Sequence, residues 1–133
     1  WKGTTAKLLK DGTLGDGKIY KYSPGLEPLT AYRAENAPEP TRFKGVTHSS
    51  LHPSGDFITY TTETARRLMR YDIRNDRQMP DLAAYADADP FDRTDKRWFI
   101  APAYLSDARL LCTDATGLAV YDEEGKMRQH IDL

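Results

Sequence analysis

The sequence predicts an all-β fold made of repeated four-stranded antiparallel units, and three observations carry that expectation. Segments ending in tyrosine recur at nearly constant spacing: Ile19-Tyr20-Lys21-Tyr22, Leu68-Met69-Arg70-Tyr71-Asp72 and Leu118-Ala119-Val120-Tyr121-Asp122 put Tyr22, Tyr71 and Tyr121 at successive intervals of 49 and 50 residues. A fixed period of this size marks stacked supersecondary units. Hairpin signals precede the second and third tyrosines, since polar turn residues separate runs of β-branched and aromatic residues. No long apolar pattern of helical period runs through the 133 residues.

Taken in order, residues 1–32 supply the last three strands of one unit, with Ala6 to Leu9 as its inner strand and Pro24-Gly25 turning the chain into Pro28 to Tyr32. Residues 46–85 form a complete unit. Its hairpin is Leu51-His52-Pro53-Ser54-Gly55-Asp56-Phe57-Ile58, its second strand Phe57 to Thr61, and Asn75-Asp76 turns into a last strand over Met79 to Tyr85. Residues 98–133 repeat the plan: Tyr104-Leu105-Ser106-Asp107-Ala108-Arg109-Leu110-Leu111 lies residue for residue over the first hairpin, and Glu124-Gly125 leads into Met127 to Leu133. The connectors, Arg33 to Gly45 with its Pro and Glu and Ala86 to Arg97 with its Asp, are too polar to bury and read as surface loops.

The stretch from Leu51 through Ile73 resembles the WD-repeat pattern of a turn, an inner strand and a strand ending in aromatic-Asp, and the chain as a whole resembles a β-propeller. Tyr71-Asp72 and Tyr121-Asp122 stand where that pattern has Trp-Asp, and Thr47-His48 where it has Gly-His. The NHL-type and gluconolactonase-like or strictosidine-synthase-like propellers are similar to it to the same degree. The resemblance implies one domain over 1–133, about 2.7 blades of a ring that needs four to eight. It therefore implies a protein partner: the remainder of the propeller, or self-association of several copies.

Charge and composition bound the function. Nineteen basic against 20 acidic side chains leave a net charge of −1, which gives no electrostatic reason to bind nucleic acid or an anionic membrane. With no run approaching a membrane span and no signal-peptide layout in Trp1 to Lys10, the expectation is a soluble chain. A single cysteine, Cys112, rules out an intrachain disulfide and any multi-cysteine zinc site, and its place between Leu111 and Thr113 suits a small buried hydrophobe.

His48, His52 and Glu63 form the most suggestive cluster, because imidazole and carboxylate at a blade end could hold a ligand or move a proton. Against this, a histidine beside a turn is more often a local hydrogen-bonding partner. The resemblance to gluconolactonase-like enzymes implies a divalent cation such as calcium on the ring axis, with Glu63 and Asp114, each following the second strand of its unit, as ligands. Both residues equally suit turn caps. Asp87, Asp89, Asp92 and Asp95 lack the Gly and the closing Glu of a calcium loop and read as a solvated connector. Arg66, Arg67, Arg70, Arg74 and Arg77 could receive an acidic group, Arg70 foremost, but alternation along a strand splits them between two faces. The function expected is a protein-interaction or ligand-binding platform using His48, His52 and Arg70. The alternative is a metal-dependent lactonase or esterase-like hydrolase.

Overall fold

A computed structural model describes residues 18–35 and 46–133. They form ten strands and, within these ranges, no helix: β1 (Lys18–Tyr22), β2 (Pro28–Arg33), β3 (His48–Leu51), β4 (Phe57–Thr61), β5 (Arg67–Asp72), β6 (Arg77–Ala84), β7 (Ile100–Tyr104), β8 (Leu110–Thr113), β9 (Gly117–Tyr121) and β10 (Met127–Asp132). All pairing is antiparallel. The first two strands pair as a ribbon, and the others form two four-stranded meanders, β3-β4-β5-β6 and β7-β8-β9-β10. The expected inner strand Ala6 to Leu9 lies outside the described residues.

The three tyrosines occupy corresponding places in the strand before the last turn of each unit: Tyr22 and Tyr121 end β1 and β9, and Tyr71 is the last residue but one of β5. The residue after each tyrosine explains the repeat. Asp72 Oδ1 accepts the Arg74 and Asn75 N–H groups at 3.0 and 2.9 Å, Asp122 Oδ1 accepts those of Glu124 and Lys126 at 3.1 and 2.8 Å, and Ser23 Oγ accepts the Glu27 N–H at 3.1 Å. A short side-chain acceptor that satisfies turn N–H groups is what holds such a turn closed.

The sheets stack face to face around two cores. Ile58, Tyr60, Met69 and Tyr71 point from the first meander towards Ile19 and Tyr32 of the ribbon. Leu68 and Leu82 point the other way, to Phe99, Leu110, Cys112, Ala119 and Tyr121. With both faces covered, the middle strand β4 buries Ile58, Thr59, Tyr60 and Thr61 without alternation. The Tyr60 hydroxyl, deep in the first core, donates to the Glu35 carbonyl at 2.9 Å and accepts from Gln78 Nε2 at 3.0 Å.

The two hairpins that read as aligned differ by one residue. His52 N–H closes on the Phe57 carbonyl, whereas Leu105 N–H closes on that of Arg109. Gly55 and Ala108 share the same left-handed corner, at φ +77° and +67°, so the extra residue falls after it. Ile58 therefore corresponds to Leu110, not to Leu111, because Ile58 pairs with Tyr71 and Leu110 with Tyr121. A slip of one residue exchanges the faces of a strand.

The far face of the second meander holds Ala103, Leu111, Leu118, Val120 and Ile131, aligned across the strands by register. No other described strand packs broadly on it; Val120 is buried, Leu111 and Leu118 are half-buried, and Ile131 is 43% exposed. In the first meander the matching positions are Ser50, Thr59, Leu68, Arg70 and Ala83, and that face is covered by its neighbour.

Candidate functional site

Two residues of the β4–β5 turn organise the connector over 86–97. The Arg66 carbonyl accepts the Tyr85 N–H at 3.0 Å where the connector begins, and the Ala65 carbonyl accepts the Phe99 N–H at 2.8 Å where it ends. Ala65 reaches that position in the left-handed region, at φ +53°. The Arg66 side chain, 5% exposed, then donates to the carbonyls of Asp92 at 2.7 Å, Asp95 at 3.2 Å and Arg97. A guanidinium suits this task, since its planar fork offers five fixed donors.

The connector is thus held from inside as well as by its own acids. Asp89 Oδ1 accepts the Phe91 N–H at 2.9 Å, and Asp92 Oδ1 accepts the N–H and hydroxyl of Thr94 at 2.8 and 2.7 Å. Arg97 grips Asp87 at 2.9 Å and Asp95 at 2.7 Å. Side-chain and backbone hydrogen bonds from Arg97 hold the Asp95 carboxyl down at a pKa of about 2. The four aspartates are therefore structural. Each has a partner within the loop, and they form no calcium cage.

Between this connector and the ends of β3 to β5 lies a cavity of about 480 Å³. Its apolar surface comes from Pro90, Phe91, Trp98, Phe99 and Ile100, and its polar groups from Thr47, His48, Thr62, Glu63, Thr64 and Arg93. Arg66 contributes to the lining while its guanidinium serves the connector carbonyls. Trp98 carries cations on its ring system, with Arg66 at 5.9 Å and Lys96 at 5.3 Å from the centroid. A mainly apolar concavity with a few placed polar groups is the usual form of a small-ligand site.

The candidates from sequence fall in different places. His48, exposed at the start of β3, and Glu63 both line the cavity. His52 is a joint between sheets: Nδ1 lies 2.8 Å from Ser54 Oγ, Nε2 lies 3.3 Å from Glu123, and the ring stacks on Phe57 at 4.3 Å and meets Tyr104 edge-on at 4.9 Å. Tyr104 completes the joint with Thr59 Oγ1 at 2.7 Å and Ser50 Oγ at 3.0 Å. Arg70 donates to the Pro80 carbonyl at 2.9 Å and sits 5.8 Å over the Phe57 ring, away from the cavity lining.

Asp114 caps the β8–β9 turn. Its Oδ1 accepts from the Thr116 N–H and hydroxyl at 2.7 and 2.8 Å and from the Gly117 N–H at 2.8 Å, while Oδ2 lies 3.0 Å from His130 Nε2. Burial opposes its charge, yet these bonds keep its pKa below the usual carboxylate value. Both oxygens are thus engaged, and Asp114 is not among the cavity residues that include Glu63. Among the described residues no group of three or more His, Cys, Asp or Glu side chains is arranged to hold a metal ion. The pair does not fit a divalent cation, and no chemistry is routed through one.

The sequence singles out Arg66 only as one of a run of arginines, and it gives no sign of Phe91 or of the cavity itself. The adjacency of Arg66 to a turn signal was visible, but not its inward direction. The chain matches no protein-family model and no curated protein.

Proposed function

We propose that the chain is part of a β-propeller that serves as a binding platform, with the cavity between the β4–β5 turn and the 86–97 connector as its binding site. The cavity carries this reading, because its wall is fixed in advance by Arg66 and so costs little ordering when a ligand arrives. The propeller part is supported by the way the meanders meet. The first strands β3 and β7 lie against each other, while the β9–β10 turn at Gly125 abuts Leu82 of β6, as in sheets radiating from a common axis.

The far face of the second meander, with half-buried Leu111 and Leu118 and exposed Ile131, is the place for a further sheet, from the rest of the ring or from another copy. A fragment screen by NMR on the full chain tests the platform. Shifts are expected to cluster on Thr47, His48, Ala65, Phe91, Trp98 and Phe99, and to weaken in Phe91→Ser. Shifts gathered elsewhere, with these residues silent, would overturn the assignment of the site.

A further inference from the structure

The polar groups of the cavity divide into those already engaged and those left over, and the division selects a ligand. Thr47 Oγ1 lies 3.2 Å from both the carbonyl and the hydroxyl of Thr61. Asp92 Oδ1 is held by Thr94, the two terminal nitrogens of Arg66 serve the connector carbonyls, and Glu63 makes an interaction of its own.

What remains, among the described residues, is a set rich in donors. The exposed guanidinium of Arg93 and the ring of His48 have no hydrogen-bond or ion-pair partner there, and neither do the hydroxyls of Thr62 and Thr64. Beside them stand the apolar surfaces of Phe91, Trp98, Phe99 and Ile100. A guanidinium pairs best with a planar anion that takes two of its N–H groups at once, and a carboxylate does so. The volume, about 480 Å³, is that of a site for a small organic molecule.

Resting on the binding-platform reading above, we propose that this cavity takes a small amphipathic carboxylic acid, its aromatic or aliphatic body against Phe91, Trp98 and Phe99 and its carboxylate on Arg93. His48 and the two threonine hydroxyls supply further donors to the polar end.

The test is calorimetric titration of the full chain with phenylbutyrate and with its neutral isostere phenylbutyramide, followed in parallel by the Trp98 indole resonance. The acid is expected to bind about tenfold more tightly than the amide, the scale of one charge-assisted hydrogen-bonded contact. Arg93→Gln, at an exposed position that carries no packing, should bring the acid down to the affinity of the amide. Equal binding of acid and amide by the unaltered chain would overturn the carboxylate assignment and leave the binding site standing. Binding of neither, with a still indole resonance, would overturn both. A peptide ending in a free phenylalanine carboxylate that bound more tightly than phenylbutyrate would overturn the assignment to a small molecule.

Discussion

Gly125 holds φ at +80°, and a Cβ added there would run into the Leu82 carbonyl of the neighbouring sheet. Gly125→Ala should therefore destabilise the fold by about 1 to 3 kcal/mol, from backbone strain plus displaced packing, measured by urea unfolding. Ala108 offers the opposite case. It sits at φ +67° in the corner where the other hairpin uses Gly55, so Ala108→Gly should stabilise by up to about 1 kcal/mol in the same assay. Cys112 is buried with its thiol 3.2 Å from the Ile100 carbonyl, and burial pushes its pKa up to about 12. An alkylating reagent at neutral pH should leave it untouched in the native chain and label it after denaturation. For Asp95 the folded pKa, about 2, lies below the ordinary carboxylate value. Its contribution to stability is thus fully present above that ordinary value and is lost as pH falls towards 2. Asp95→Asn should flatten this part of an acid-unfolding curve.

At the scale of the elements, the connector 86–97 shows how a loop of polar residues becomes a fixed wall. Arg66→Met keeps the length and apolar stem of the side chain but withdraws the donors from three carbonyls. The loss expected is about 2 to 4 kcal/mol, with hydrogen exchange quickening across 89–97 ahead of the strands; uniform exchange over the whole chain would contradict it. The sequence made the meanders legible because a turn-capping Asp follows an inward tyrosine in both, a local chemistry that needs no knowledge of neighbours. Strand β4 could be placed at Phe57 to Thr61 for the same reason. The one-residue offset between hairpins was hidden, since His52 to Asp56 and Leu105 to Arg109 are equally good turn material and only the register reveals the extra residue. Arg66 was hidden differently. In a run with Arg67 and Arg70 nothing local distinguishes the guanidinium that turns inward. Of the cavity, His48 and Glu63 stand out in the sequence, with Arg66 and Asp92 only as members of charged runs, because chemistry-bearing side chains draw notice and an apolar wall of Phe91, Trp98 and Phe99 does not.

For the whole molecule, the two meanders differ most in one pair of corresponding faces, which in the first is covered by its neighbour. Where the first presents Ser50, Thr59 and Arg70 at its junction, the second presents Ala103, Leu111 and Val120, and Ile131 stands where the first has Ala83. On the proposed reading such a face would dock through apolar contact, and each side chain fully withdrawn from water there would contribute about 1.5 to 3 kcal/mol. It is also the feature by which a stack of repeated sheets differs from a closed sandwich, which leaves no face of this kind open. Light scattering on the chain over a range of concentrations, beside the double variant Leu118→Glu and Ile131→Glu, tests this most directly. The account predicts that the unaltered chain runs heavier than a monomer with rising concentration while the folded double variant stays monomeric. A cooperatively folded monomer at every concentration, indistinguishable from the variant, would contradict it.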